Sequence, residues 1–156
     1  MGIRRYKHWI GVWACLFLGL IFVAAGLGKA LHRAEAFMFF PDFLPPALAK
    51  VIFVWLPAIE LTVGLLLITG IAAKFVATFS LMPIAGFMAN NSLLLSLGLG
   101  YEPCECFGIA ETLTQAKLSI IGALYLDIVM LALVLVILFC YQRNFFNIYP
   151  WFISQR

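Results

Sequence analysis

At 156 residues, with 65% of them hydrophobic and only 11% charged, the chain carries less than half the charge of an ordinary soluble domain, which has about 25%. A fold of this size has too little interior to hide so much apolar surface. That excludes a water-soluble globule and points to a single-domain polytopic membrane protein. The formal charge of +3 is small and scattered, with no basic run of the kind that binds nucleic acid, so no nucleic-acid partner is expected.

A spanning helix needs about 20 predominantly apolar residues. The first such run covers residues 9–28. It follows Arg4-Arg5 and ends in small residues, as a signal peptide does. It is longer than the roughly 7–15-residue core of such a signal, however, and reads as a retained span. The connection 29–50 contains Phe37-Met38-Phe39-Phe40-Pro41-Asp42-Phe43-Leu44, too apolar for water and expected in the outer interface, lidding the bundle. The second run, 51–71, follows Pro45-Pro46 and contains Pro57; after a tight turn at 72–74 the third, 75–99, contains Pro83. Proline inside a span is tolerated where neighbours re-satisfy the freed carbonyl. The fourth run is 118–141, reached through the polar connection 100–117. Gly19, Gly26, Gly64, Gly86, Ala58 and Ala89 are candidates for close helix contact. The tail 144–156, with Phe145, Phe146, Tyr149, Trp151 and Phe152, suits an interfacial segment or a docking strip. The expected fold is all-α: one domain, 1–156, holding a bundle of four transmembrane helices.

Orientation follows the positive-inside bias. Arg4, Arg5, Lys7, Lys74, Arg143 and Arg156 share one side without an acid, whereas Glu35, Asp42, Glu102, Glu105 and Glu111 lie on the other beside Lys29, Arg33, Lys50 and Lys117. Both termini are therefore expected to be cytoplasmic. Both longer connections should face outward, into the periplasm if the membrane is a bacterial inner membrane.

The connection 100–117 carries Cys104-Glu105-Cys106-Phe107-Gly108. As a staple this CxC pair is poor. Loop entropy for about three residues gives about 1.6 kcal/mol before strain, against about 3 for a 15-residue loop. Small strained rings are easily reduced, and exchange proceeds by thiolate attack through a mixed disulfide. Electron exchange is one reading; two inert thiols, or a tight structural turn, are the others. Glu102, Glu105 and Glu111 oppose a strongly acidic thiol, whereas Lys117 and a following helix N-terminus favour one. No metal site is expected, because structural zinc takes four Cys or His ligands. Cys15 and Cys140 fall near the opposite face and read as small buried apolar residues. Haem attachment lacks its CxxCH.

Ionisable groups at membrane depth are costly and mark a working interior. At a rise of about 1.5 Å per residue, Glu60 falls roughly 15 Å, Asp127 roughly 13 Å and Asn91 roughly 10 Å below the outer ends of their spans. Lys29 closes the first span and can turn inward. These four residues form either a polar pocket that takes a quinone head group or relays protons from the thiols, or helix glue. In the second case Lys29 pairs with Glu60 or Asp127 and the asparagines bond across helices. Asn90-Asn91-Ser92 matches a glycosylation sequon, but at a depth that rules out its use.

Leu44-Pro45-Pro46-Ala47-Leu48, the stretch Leu56-Pro57-Ala58-Ile59-Glu60-Leu61-Thr62-Val63-Gly64, Cys104-Glu105-Cys106-Phe107-Gly108 and the helix end Gly26-Leu27-Gly28-Lys29 resemble the MauE branch of the DoxX-like membrane proteins over about residues 10–140. The resemblance implies a four-helix bundle associated with redox chemistry. MauE-like proteins are linked to maturation of methylamine dehydrogenase, whose small subunit needs many disulfides. DoxX-like relatives are linked to sulfur-compound oxidation coupled to quinone. Carried across, Cys104 and Cys106 are the exchanging pair, and Glu60 and Lys29 the matching intramembrane polar residues. Glu105 departs from the glycine often found there, which stiffens the loop and adds charge.

Two functions compete. One is a membrane thiol–disulfide oxidoreductase that exchanges electrons between a thioredoxin-like or disulfide-containing extracytoplasmic protein and the quinone pool. The other is a non-catalytic accessory subunit of a larger respiratory or photosynthetic membrane complex. A transporter is disfavoured by the lack of an inverted repeat.

Overall fold

The computed structural model describes residues 2–31, 46–101 and 119–141. Cys104, Cys106, the outer segment 37–44 and the tail 144–156 lie outside the described residues. Among those described, the elements are four helices: α1 (Gly2–Leu31), α2 (Pro46–Thr69), α3 (Ala73–Ser96) and α4 (Ile120–Cys140).

The sequence sets their ends. Pro46 opens α2, where its fixed φ suits a helix start and its missing N–H removes nothing. Ser119 caps α4, its hydroxyl accepting from the Gly122 amide at 3.2 Å. The α2–α3 turn uses Gly70 at φ 73° and Ala72 at φ 47°, and α3 unwinds through Gly98 at φ 82°, a conformation that glycine adopts without strain. Pro57 and Pro83 lie inside α2 and α3. The helices differ from the expected runs mainly at their ends. Helix α1 begins before the apolar run, on Gly2, and α2 begins at Pro46, because helix geometry continues past the apolar stretch until a cap or a breaker stops it.

Around the bundle the order is α2, α1, α4, α3, and the remaining neighbours α2 and α3 make the thinnest contact. Helices α1 and α2 run antiparallel in close approach. A Cβ on Gly19 would lie 2.8 Å from the Gly64 carbonyl, one on Gly64 would lie 2.8 Å from the Gly19 carbonyl, and one on Gly26 would lie 3.0 Å from that of Pro57. These three glycines serve as expected. Gly86, Ala58 and Ala89 do not: they face outward, and a Cβ on Gly86 would meet nothing within 4 Å. At one end of the bundle Gly11 of α1 rests on the backbone of Tyr141, which follows α4, and the His8 ring tilts against the Tyr141 ring at 5.4 Å. At the other end the Gly100 carbonyl accepts from the Ile121 amide at 3.3 Å.

Leu18, Phe22, Leu67, Ile84, Val134 and Ile137 fill the centre. Polar groups are buried beside them, Glu60, Ser80, Asn91 and Asp127, while Phe139, Met82, Tyr125 and Trp55 are exposed. Polar groups inside and large apolar groups outside are the arrangement of a protein solvated by lipid. Two helices are long and apolar enough to cross a bilayer, α1 over Tyr6–Ala30 and α4 over its whole length; the apolar stretch Val54–Thr69 of α2 is shorter. The molecule is a membrane protein.

A polar cluster shared by four helices

Each helix brings one chemically distinct group to a common locus. Lys29 sits near the end of α1, Glu60 in the middle of α2, Asn91 near the end of α3 and Asp127 two turns into α4. Lys29 Nζ forms an ion pair with Glu60 Oε1. Asn91 Nδ2 donates to Asp127 Oδ2 at 2.8 Å. The Lys29 ammonium also lies within electrostatic reach of Asp127, which joins the pairs into one cluster. All four residues singled out from the sequence thus come together, in the pairing that helix glue requires. An ion pair this enclosed (Glu60 is 0% exposed) gains its Coulomb energy in a low dielectric, but leaves a large penalty if either partner is lost.

The pairing is incomplete. Glu60 Oε2 is buried and has no hydrogen-bond partner among the described residues. Against two carboxylates the cluster offers one ammonium and one amide. A buried acceptor without a donor is expensive.

Sequence reasoning missed Phe87. Its ring lies 4.4 Å from Lys29 Nζ, measured to the centroid, a cation–π seat. Among fifteen phenylalanines it has one distinguishing mark: it precedes Asn91 by four residues, which puts both on one helix face. The His8–Tyr141 contact at the far end was missed too, since only the return of α4 to the start of α1 creates it.

The other cysteines divide. Cys15 is buried as expected, whereas Cys140, at the end of α4, is half-buried. Among the described residues no group of three or more His, Cys, Asp or Glu could hold a metal ion.

The loop that carries the CxC pair is anchored at both roots. Gly100 bonds to Ile121, and a Cβ on Gly100 would press against Ile121 and Leu95, so residues 101 and 119 leave and re-enter the bundle side by side. Asn91 lies nine residues before Gly100 and Asp127 eight after Ser119, which puts the cluster in the half of the bundle below those roots.

Comparison with curated proteins and with solved structures gave no match. A family model described as methylamine utilisation protein MauE matches residues 7–140, a stretch that takes in all four helices and the CxC segment, and the chain belongs to the MauE family.

Proposed function

We propose that the chain is a membrane thiol–disulfide redox protein of methylamine utilisation, DoxX-like in architecture. All four helices span the membrane as one domain, both termini are cytoplasmic, and the CxC loop faces outward from a bacterial inner membrane. The observation that carries this reading is the joined root of the CxC loop above the four-helix polar cluster. It brings residues 101 and 119, which flank the CxC segment, together at the end of the bundle nearer the polar cluster.

In the oxidising direction a partner thiolate attacks one sulfur of a Cys104–Cys106 disulfide, forming a mixed disulfide and releasing the other as thiolate. A second partner thiolate then resolves the bridge. The partner leaves as a disulfide and Cys104 and Cys106 remain as a dithiol. Regenerating the Cys104–Cys106 disulfide needs an acceptor of two electrons and two protons, which a bound quinone would supply on becoming a quinol; Lys29, Glu60, Asn91 and Asp127 would hold its head group. The reductive direction reverses each step.

The test is trapping. With Cys106→Ser, and separately Cys104→Ser, one variant should accumulate a mixed disulfide with an extracytoplasmic protein, visible as a reducible band shift. If neither captures a partner and the complex it co-purifies with assembles normally when both cysteines are serine, the chain is an accessory subunit instead.

A further inference from the structure

Phe87 occupies a peculiar position. Its ring sits over the Lys29 ammonium, beside the carboxylate whose second oxygen is buried without a partner. The seam on this side, between α2 and α3, is the thinnest in the bundle. The preceding residue, Gly86, faces open space, with nothing within 4 Å of where a Cβ would be. A flat ring over a cation, an unfilled acceptor next to it and a loose seam leading to the lipid describe a site for an aromatic, hydroxyl-bearing molecule dissolved in the bilayer.

We propose that Phe87 is a built-in plug: its ring takes the seat over Lys29 that a quinol head group takes on binding, with Glu60 Oε2 accepting from the quinol hydroxyl and the tail leaving between α2 and α3. The inference rests on the quinone reading above and adds to it the redox form bound, the route of entry and the competing side chain. Binding requires the ring to leave its cation. Lys29 keeps a π face before and after, so the exchange leaves the ammonium solvated throughout. The unpaired oxygen gains the donor it lacks, which a fully oxidised quinone cannot supply.

A side chain that competes for a site reduces apparent affinity by the fraction of molecules it keeps closed. The experiment uses the full chain in lipid nanodiscs and a radiolabelled decyl-substituted benzoquinol, held reduced, with retention counted above that of empty nanodiscs. Phe87→Ala should bind about tenfold more tightly than the native chain, and Phe87→Trp, a larger plug, more weakly than native. Circular dichroism and size-exclusion profiles identify any variant that has failed to fold, and the Trp variant keeps the ranking testable without the Ala one. Glu60→Gln, with its amide oxygen retained on Lys29, puts an NH2 where the unpartnered oxygen was, so it should reverse the preference from quinol to quinone. Equal binding by native, Ala and Trp chains overturns the plug and leaves the quinone reading standing. If none of the chains retains either redox form, the quinone reading falls and the plug falls with it.

Discussion

At the scale of single residues, the two buried polar pairs should behave differently. Lys29 and Glu60 are both ionisable and enclosed, so removing one leaves a bare charge. Lys29→Met should cost about 3–5 kcal/mol, and Lys29→Met with Glu60→Leu should return most of it, because a well-packed apolar pair replaces a buried ion pair at little cost. Asn91 and Asp127 share a hydrogen bond, and such bonds within membranes average about 0.6 kcal/mol. Asp127→Asn, which keeps an acceptor, should cost no more than about 1 kcal/mol on the same reasoning. Reversible unfolding in mixed detergent micelles measures all three. A Lys29→Met cost no larger than that of Asp127→Asn would show that the ion pair is not the keystone of the cluster. The sequence made these four residues legible because an ionisable group inside an apolar run stands out against its neighbours. Phe87 was not legible, since its meaning comes from Lys29 reaching across from another helix, which its spacing of four from Asn91 does not reveal.

At the scale of elements, glycine shows the same limit. Six small residues looked alike as candidates for helix contact, but only Gly19, Gly26 and Gly64 meet another backbone. Which face of a nearly uniform apolar helix turns inward is set by its partners, and a helix apolar all round carries little record of that choice. The contrast yields a paired prediction. Gly64→Ala drives a Cβ to 2.8 Å from the Gly19 carbonyl, where backbone must give way, and should cost about 1–3 kcal/mol by overpacking. Gly86→Ala meets nothing and should instead stabilise by about 0.5–1 kcal/mol through helix propensity. Opposite signs for the same chemical change, read in the same unfolding titration, would establish that α1 and α2 form the tight seam of the bundle. Element boundaries lie within two residues of the expected run at α4, which Ser119 caps, and five residues before it at α2, which opens on Pro46. They were missed at the start of α1, where no apolar signal accompanies the helix.

At the scale of the whole molecule, the ends of the bundle decide what the cysteines can reach. His8 and Gly11 meet Tyr141 at one end; Gly100 meets Ile121 at the other. Tyr6, 71% exposed, and Tyr101, 90% exposed, therefore mark opposite ends of the bundle, with Tyr101 three residues before Cys104. The charge bias of Arg4, Arg5 and Lys7 predicts that the Tyr6 end is cytoplasmic. In a background with every native cysteine replaced by serine, Tyr101→Cys should react with a membrane-impermeant maleimide applied to intact cells. Tyr6→Cys should react only after the membrane is opened. Lipid-facing Val129→Cys, half exposed and in the middle of α4, should resist in both conditions, because maleimide addition needs a hydrated thiolate. The reverse pattern would put the CxC loop in the cytoplasm, among reduced thiols, where a small disulfide does not persist. A bundle in that orientation would still hold its ion pair and its plug, but its cysteines would have no oxidising compartment to serve. Sidedness is thus the measurement on which the redox reading and the accessory-subunit reading separate before any partner is known.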